Sequence, residues 1–548
     1  MSRARSSFDL SPTGTENPPA FQNTLACQDW LAGVPLANPT QAQVMLLRQL
    51  NLLANFTMPP GERLAILELL RVAISDVQTD VAKRFAGRPL PLTPPEQAAL
   101  DGTLVTWQAL LAGYLRLIDA AHADDPTLHK HRALVSQRAL AVFADWQVDL
   151  LRGQELPDAD YWRTLHRVFS LAEEMGVLVD DVHDAPRHGN TATTALGAYG
   201  ESVLLYTASP FELPPRHLNW IARWSRRWGG KLGLAKTEPT VADDRSIPLF
   251  VDLATDRPPS YHSQDGQAPR WLDTGALRKS IKGRIVLLEQ GEQPSRLHLG
   301  EDCTQPAAGQ LLNRVYMRWC KGGATRRQIR KAASGGCEFI VGLNAVHYYL
   351  SDRQPFNPPT RDETVLRQQR EEMETFGERA RRKDDDYSDR QGFDIEQWSV
   401  IDDWQLLDRS TGGLRLSRPL KGGVRVGTGQ LVAVKLAGSA QFIVGGVRWA
   451  LQDAVKASHA TLSIGVQLYP GVAQPMAVRA TDVRDPFRQG LYLPAVAAVG
   501  EPESLIVPAG TFRIGRAVEI VRGRESTACK LVKVLDRTTE YERCTFGA

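Results

Sequence analysis

Cysteine is scarce in this chain. Six residues, Cys27, Cys303, Cys320, Cys337, Cys529 and Cys544, are scattered over 548 positions with no Cys-x-x-Cys pair. That argues against a zinc site and a disulfide scaffold, and it fits a reducing compartment. An excess of one charge is also lacking: 65 Lys and Arg face 62 Asp and Glu, a formal net charge of +3. DNA and RNA are therefore not expected as partners, and any anion site must be local. The most apolar long segment, Leu104 to Ile118, is interrupted by Arg116 and is too short to span a bilayer. The opening Met1-Ser2-Arg3-Ala4-Arg5 leads into a polar, proline-bearing stretch without the apolar centre of a signal peptide. The expectation is a cytoplasmic protein with no membrane insertion.

Catalytic signatures are missing too. There is no Walker loop, no Gly-x-Ser-x-Gly elbow and no His-Glu-x-x-His. Gly427-Thr428-Gly429 opens a strand pattern rather than a helix, so it is not a dinucleotide fingerprint. The doublet His183-Asp184 has Glu173 and Glu174 upstream and His166 and His188 nearby, but these histidines lack the spacing of a metal phosphohydrolase. No metal, cofactor or catalytic residue is expected.

A chain of this length needs more than one core. Residues 1–38, rich in Ser, Pro, Asn and Thr, read as a disordered tail with Trp30 and Leu31 docking. Residues 39–230 read as an α-helical domain. Thr40 is its first N-cap, Leu46, Leu50 and Leu53 follow at helical spacing, and Pro59-Pro60 separates the next helix with Leu67, Leu70, Ile74 and Val77. Thr93-Pro94-Pro95-Glu96 is a capping box ahead of Leu104, Trp107, Leu111 and Leu115. Arg152-Gly153 stops the helix that begins near Pro126, and three more span Tyr161–Met175, Ala192–Tyr206 and Leu213–Trp228. The stripe Trp220, Trp224, Trp228 is most simply a face packed on the bundle. No fixed repeat period is visible. Residues 231–325 are a mixed connecting region, with a strand at Leu249–Leu253 and helices over Leu272–Glu289 and Leu311–Cys320.

Two short elements follow. Arg326-Arg327-Gln328-Ile329-Arg330 brackets three residues between Arg326 and Arg330, although Arg327 and Lys331 offer the same spacing. Asp408-Arg409-Ser410-Thr411-Gly412-Gly413 is an Asp-x-Ser-x-x-Gly element, which also describes a turn whose side chains bond their own backbone. Strand patterns follow it: Leu414-Arg415-Leu416, Val424 to Leu436, Val447-Arg448-Trp449 and Ile464-Gly465-Val466. Cys337 to Leu350, rich in β-branched and aromatic residues, reads as one or two strands, and residues 351–397 as a charged insertion that separates the two elements.

In this order the residues resemble the PilZ family, β-barrel modules that bind cyclic di-GMP. The resemblance implies an α+β multidomain protein: an N-terminal α-helical bundle, a PilZ-like antiparallel β-barrel over 326–475, and a β-rich extension over 476–548 that extends the barrel or packs on it. It implies a ligand site of Arg326, Arg330, Asp408, Ser410 and Gly413, with Arg327 and Trp449 as secondary candidates, although Trp449, mid-strand in Val447-Arg448-Trp449, reads first as a core residue. The residue types suit the ligand. Guanidinium forks match phosphate oxygens and the O6/N7 edge of guanine, a carboxylate accepts from N1–H and N2–H₂, and glycine permits close approach. Signatures of a diguanylate cyclase or phosphodiesterase are absent. The function implied is a receptor, not an enzyme, that passes ligand binding to a helical output domain docking a protein partner. Two rivals remain: a degenerate PilZ-like scaffold that binds proteins and no nucleotide, and a metal-dependent phosphohydrolase on the acidic helical region.

Overall fold

A computed structural model of the protein describes residues 8, 10–239, 246–262, 265–323, 330–359, 401–453, 460–481, 486–523 and 525–547. The chain divides into two units, Met1–Arg88 with Leu92–Arg326 and Pro89–Pro91 with Arg327–Ala548.

The first unit is mainly helical. It contains α1 (Thr24–Ala32), α2 (Pro39–Asn55), α3 (Pro60–Ala82), α4 (Pro94–His122), α5 (Arg132–Arg152), α6 (Ala159–Glu174), β1 (Val182–His183), α7 (Ala185–His188), β2 (Ala192–Thr193), α8 (Ala195–Thr207), α9 (Pro215–Trp228), β3 (Gly233–Ala235), β4 (Leu249–Asp252), β5 (Pro269–Asp273), α10 (Gly275–Glu289) and α11 (Ala307–Cys320). The capping box forms as expected: Glu96 Oε2 accepts from the Thr93 N–H at 2.8 Å. Helix α2 starts earlier than expected. Asn38, not Thr40, is the N-cap, because its side chain reaches the Gln41 N–H and Pro39 presets the first helical φ.

Two expectations for this unit need correction. The N-terminal stretch is not a loose tail as far as residue 38, since it contains α1 and buries Phe21, Cys27 and Val34. Residues 231–325 do not merely connect. They form the sheet β3-β5-β4 and the α10/α11 pair, and they close over α9. The tryptophan stripe explains why: Trp220, Trp224 and Trp228 are all fully buried. Trp220 Nε1 donates to Asp302 at 2.7 Å, Trp224 Nε1 to the Leu299 carbonyl at 2.8 Å, and Trp228 meets the Trp319 ring edge-on. Among the described residues no helix is long and apolar enough to cross a membrane.

The second unit is β-rich. Strands β6 (Lys331–Ala332), β7 (Gly336–Val341), β8 (Asp402–Ser410), β9 (Gly413–Pro419), β10 (Leu431–Leu436), β11 (Ile443–Asp453) and β12 (Thr461–Leu468) form one antiparallel sheet, with helix α12 (Leu343–Leu350) between β7 and β8. The order is β6-β8-β7-β10-β11-β12-β9, and β8 also pairs with β9, so six strands close into a ring with β6 added on β8. Strands β13 (Gln474–Ala480), β14 (Arg488–Leu493), β15 (Ser504–Pro508), β16 (Ala517–Arg522), β17 (Glu525–Arg537) and β18 (Tyr541–Gly547) close into a second barrel in the order β13-β14-β15-β18-β17-β16. The C-terminal region is thus a barrel in its own right, not an extension of the first.

The apolar run expected as strand throughout 337–350 changes type at Gly342, whose φ of 99° turns the chain out of β7 into α12. Leu343 and Val346 on that helix join Ile340, Leu431 and Val444 of the first barrel and Leu491, Leu493, Ile506 and Tyr541 of the second in one buried cluster. Glu540, between β17 and β18, fastens the junction. Its carboxylate accepts from the Leu343 N–H at 2.7 Å and the Leu431 N–H at 2.8 Å. Burial raises its pKa, and the two N–H bonds oppose that rise. Of the charged insertion, residues 360–397 lie outside the described residues.

Candidate functional site

Arg330, the described end of the first sequence element, meets the second at the edge of the first barrel. Arg330 directly precedes β6, and Ala332 on that strand pairs with Asp408 on β8. This register brings Arg330 Nη1 to 3.2 Å from Asp408 Oδ1 across 78 residues of chain. Both side chains remain accessible, Arg330 at 36% and Asp408 at 20%. Arg326 and Arg327 lie outside the described residues.

Ser410 and Gly413 face each other across the Thr411-Gly412 turn that joins β8 to β9. The Ser410 hydroxyl points back to the Gly413 carbonyl at 3.5 Å, a weak contact. Gly413 is required by space. A Cβ there would lie 2.9 Å from the Val466 carbonyl oxygen of β12, so the strand comes as close as it does only because the side chain is missing.

Alternation decides which residues share the outer face. Leu406, Leu414, Leu416, Ile464 and Val466 are buried inside the barrel. A bulge between Leu406 and Asp408 turns Asp408 outward, where it stands opposite Arg415 of β9. Arg415 in turn stands opposite Gly465 of β12, and Gly465 opposite Trp449 of β11. A second bulge, between Val447 and Trp449, puts Trp449 on this face. Its indole lies across Gly465, where a Cβ would sit 2.1 Å from the Trp449 Nε1. One row across four strands therefore reads carboxylate, guanidinium, bare glycine, indole. Trp449 is half-buried and is not a core residue of the barrel.

The neighbouring row joins Ser410, Gly413 and Gln467 by strand pairing. Gln467 Oε1 accepts from Arg448 Nε at 2.7 Å, and the Arg448 guanidinium reaches Asp536 of β17 at 2.6 and 3.2 Å. Tyr469 donates to the same carboxylate at 2.6 Å and lies 2.5 Å from the Tyr541 hydroxyl. Burial would lower the Arg448 pKa, but Asp536 outweighs it and the net direction is upward. Burial, first, and the neighbouring acids raise both tyrosines. The outer face is thereby tied to the second barrel through the Arg448–Asp536 ion pair and the Tyr469 hydroxyl.

Sequence reasoning missed Arg415, Gln467 and the outward position of Trp449. A signal existed for the first: in Gly413-Leu414-Arg415-Leu416 the period of two puts Arg415 on the Gly413 face. The bulges that reorient Asp408 and Trp449 leave no such mark.

The acidic helical region offers less. Asp184 is buried and ringed by Arg71 at 2.8 Å, Arg138 at 3.4 Å and Arg187 at 3.9 Å. Burial would raise its pKa, and the three guanidiniums reverse this and lower it. Its oxygens are committed to these arginines and to the Gln137 amide, and among the described residues no group of three or more His, Cys, Asp or Glu is arranged to hold a metal ion.

Three family profiles match along the chain. Residues 25–239 match the N-terminal domain of the cyclic-di-GMP receptor FimW, residues 249–402 its middle PilZ domain, and residues 476–548 the FimW C-terminal β-barrel domain. The middle match ends on the first residue of β8, so Asp408, Ser410, Gly413 and Trp449 fall between it and the last. The chain is 23% identical to the cyclic-di-GMP receptor FimW of Pseudomonas aeruginosa over 558 residues, covering 91% of this chain and 86% of that protein. Helical region, PilZ domain and C-terminal barrel follow in one order, and the chain belongs to the FimW family of PilZ-domain proteins.

Proposed function

We propose that this protein is a cyclic di-GMP receptor whose site lies on the outer face of the β7–β12 ring, the PilZ barrel. The observation that carries the reading is the 3.2 Å contact between Arg330 and Asp408, which joins the two sequence elements on the row that ends in Trp449. Arg330, with Arg326, would close over the ligand and bind guanine edges and phosphates. Asp408 would accept from guanine N1–H and N2–H₂, Ser410 would add a hydroxyl, Gly413 would keep the loop tight, and Trp449 would offer a stacking plane. The helical unit is then the output domain, a bundle that docks a protein partner. No residue has a catalytic role in this reading and no cofactor is needed. A cytoplasmic location belongs to the same reading, since all six cysteines are buried free thiols suited to a reducing compartment.

One observation favours the rival scaffold reading: Arg330 and Asp408 satisfy each other. Both partners are accessible, however, and an exposed pair of this kind contributes only about 0–1 kcal/mol, which a ligand can replace. Isothermal titration with cyclic di-GMP separates the two. Charge-assisted bonds contribute about 1.5–3 kcal/mol each, so Arg330→Ala or Arg326→Ala should weaken binding about tenfold to a hundredfold, and Arg327→Ala less. Heat on titration of wild type with no change in all three variants would refute the assignment.

A further inference from the structure

The row across β8, β9, β12 and β11 contains a cation that neither sequence element includes. We infer that Arg415 is a second anion-binding residue of the cyclic di-GMP site, taking a phosphodiester of the ligand on the barrel side while the arginine arm serves the other. This rests on the proposed site and deepens it.

Position is the first argument. Arg415 is exposed and stands directly between Asp408 and Gly465. Neighbouring strands lie about 4.8 Å apart, so Asp408 is one strand from Arg415 on one side and Trp449 two strands away on the other. Gly465 contributes no side chain, and the Trp449 indole covers it. Arg415 therefore borders a shallow step with an aromatic wall, with a carboxylate behind it.

Charge is the second argument. Asp408 is already held by Arg330, so that pair is neutral. Among the described residues Arg415 makes no hydrogen bond or ion pair, although a carboxylate stands directly across the strand from it. On the other face of β8, Lys331 stands opposite Arg409, a like-charged pair that adds positive potential. A cyclic dinucleotide brings two phosphodiesters with one negative charge each. One arginine arm on one side leaves the second phosphate unmatched unless the barrel supplies a cation. Arg415 is the residue on this row that can.

The two roles make different demands on the base. A residue that binds phosphate contributes equally to cyclic di-GMP and cyclic di-AMP, whereas Asp408 distinguishes them. The test is titration of the full chain with both dinucleotides at two salt concentrations. Arg415→Ala should weaken cyclic di-GMP binding about tenfold, make it less salt-dependent and leave the preference for guanine unchanged. Arg415→Lys should recover part of the loss, since ammonium keeps the charge without the fork. Because the side chain is exposed, both variants should melt like wild type. Wild-type affinity in Arg415→Ala overturns the inference and leaves the receptor reading standing. A collapse of guanine preference overturns it too, by showing that Arg415 reads the base. Failure of the wild type to bind either dinucleotide removes the parent reading and this one with it.

Discussion

At the scale of single residues, Asp408 is the group that would carry base specificity in the proposed site. Guanine presents N1–H and N2–H₂ as adjacent donors, and an ionised carboxylate accepts from both. Adenine presents a lone pair at N1 and has no N2 amino group, so the carboxylate would stay unpaired and bear its full desolvation cost. Wild type should prefer cyclic di-GMP over cyclic di-AMP by at least about a hundredfold. Asp408→Ala should lose the first without gaining the second, and equal affinities in wild type would refute the role. Gly465 offers a test of the indole. Its missing Cβ is the space in which Trp449 lies, so Gly465→Ala must displace the ring. A base stacked on an aromatic side chain contributes about 1–3 kcal/mol, so Gly465→Ala and Trp449→Ala should both weaken cyclic di-GMP by tenfold or more in competition binding. Arg330 and Asp408 were singled out by residue type and order in the sequence, and the structure brings the two side chains together. Their meeting depended on the pairing of β6 with β8, which no local pattern encodes.

Elements were legible where several local signals agreed. The capping box of α4 and the proline break before α3 need only short-range chemistry, and both stand where the pattern put them. The misreading of 343–350 has a physical cause: a short apolar run fits a buried strand and a buried helix equally, and packing decides. Helix α12 is buried between the barrels and has His347 on its inner side, 5% exposed. Burial lowers the His347 pKa to about 4, against a smaller opposing bond to the Met476 backbone. The folded state thus resists a proton that the unfolded chain accepts from about pH 6.5 downward. Stability from this residue is fully present above that pH and falls as the pH drops toward 4, by a total on the order of 3 kcal/mol. Urea midpoints measured between pH 7 and pH 4 should decline more steeply for wild type than for His347→Phe. Parallel slopes would show that the imidazole is not the group being titrated.

At the scale of the whole molecule, composition and length announced several domains, and the change from helical to strand patterns marked the turn from one kind to the other. Their closure was not announced. That residues 476–548 form a separate ring, and that this ring shares a core with its predecessor, depends on pairings such as β15 with β18 that join distant strands. The shared cluster predicts that the two barrels melt together. Calorimetry of the second unit's transition should show one cooperative event for wild type, and Glu540→Ala should lower its midpoint, because two buried N–H groups lose their acceptor. Two separate barrel transitions in wild type would contradict the shared core.

Glu540 also sets an order in time. A ribosome delivers the chain from its N-terminus, so Leu343 and Leu431 emerge long before the carboxylate that accepts their N–H groups. Until residue 540 has been made, these two N–H groups lack the acceptor that they have in the folded protein. The junction between the barrels is therefore completed only after the helix and the strand of the first barrel that it fastens have been made.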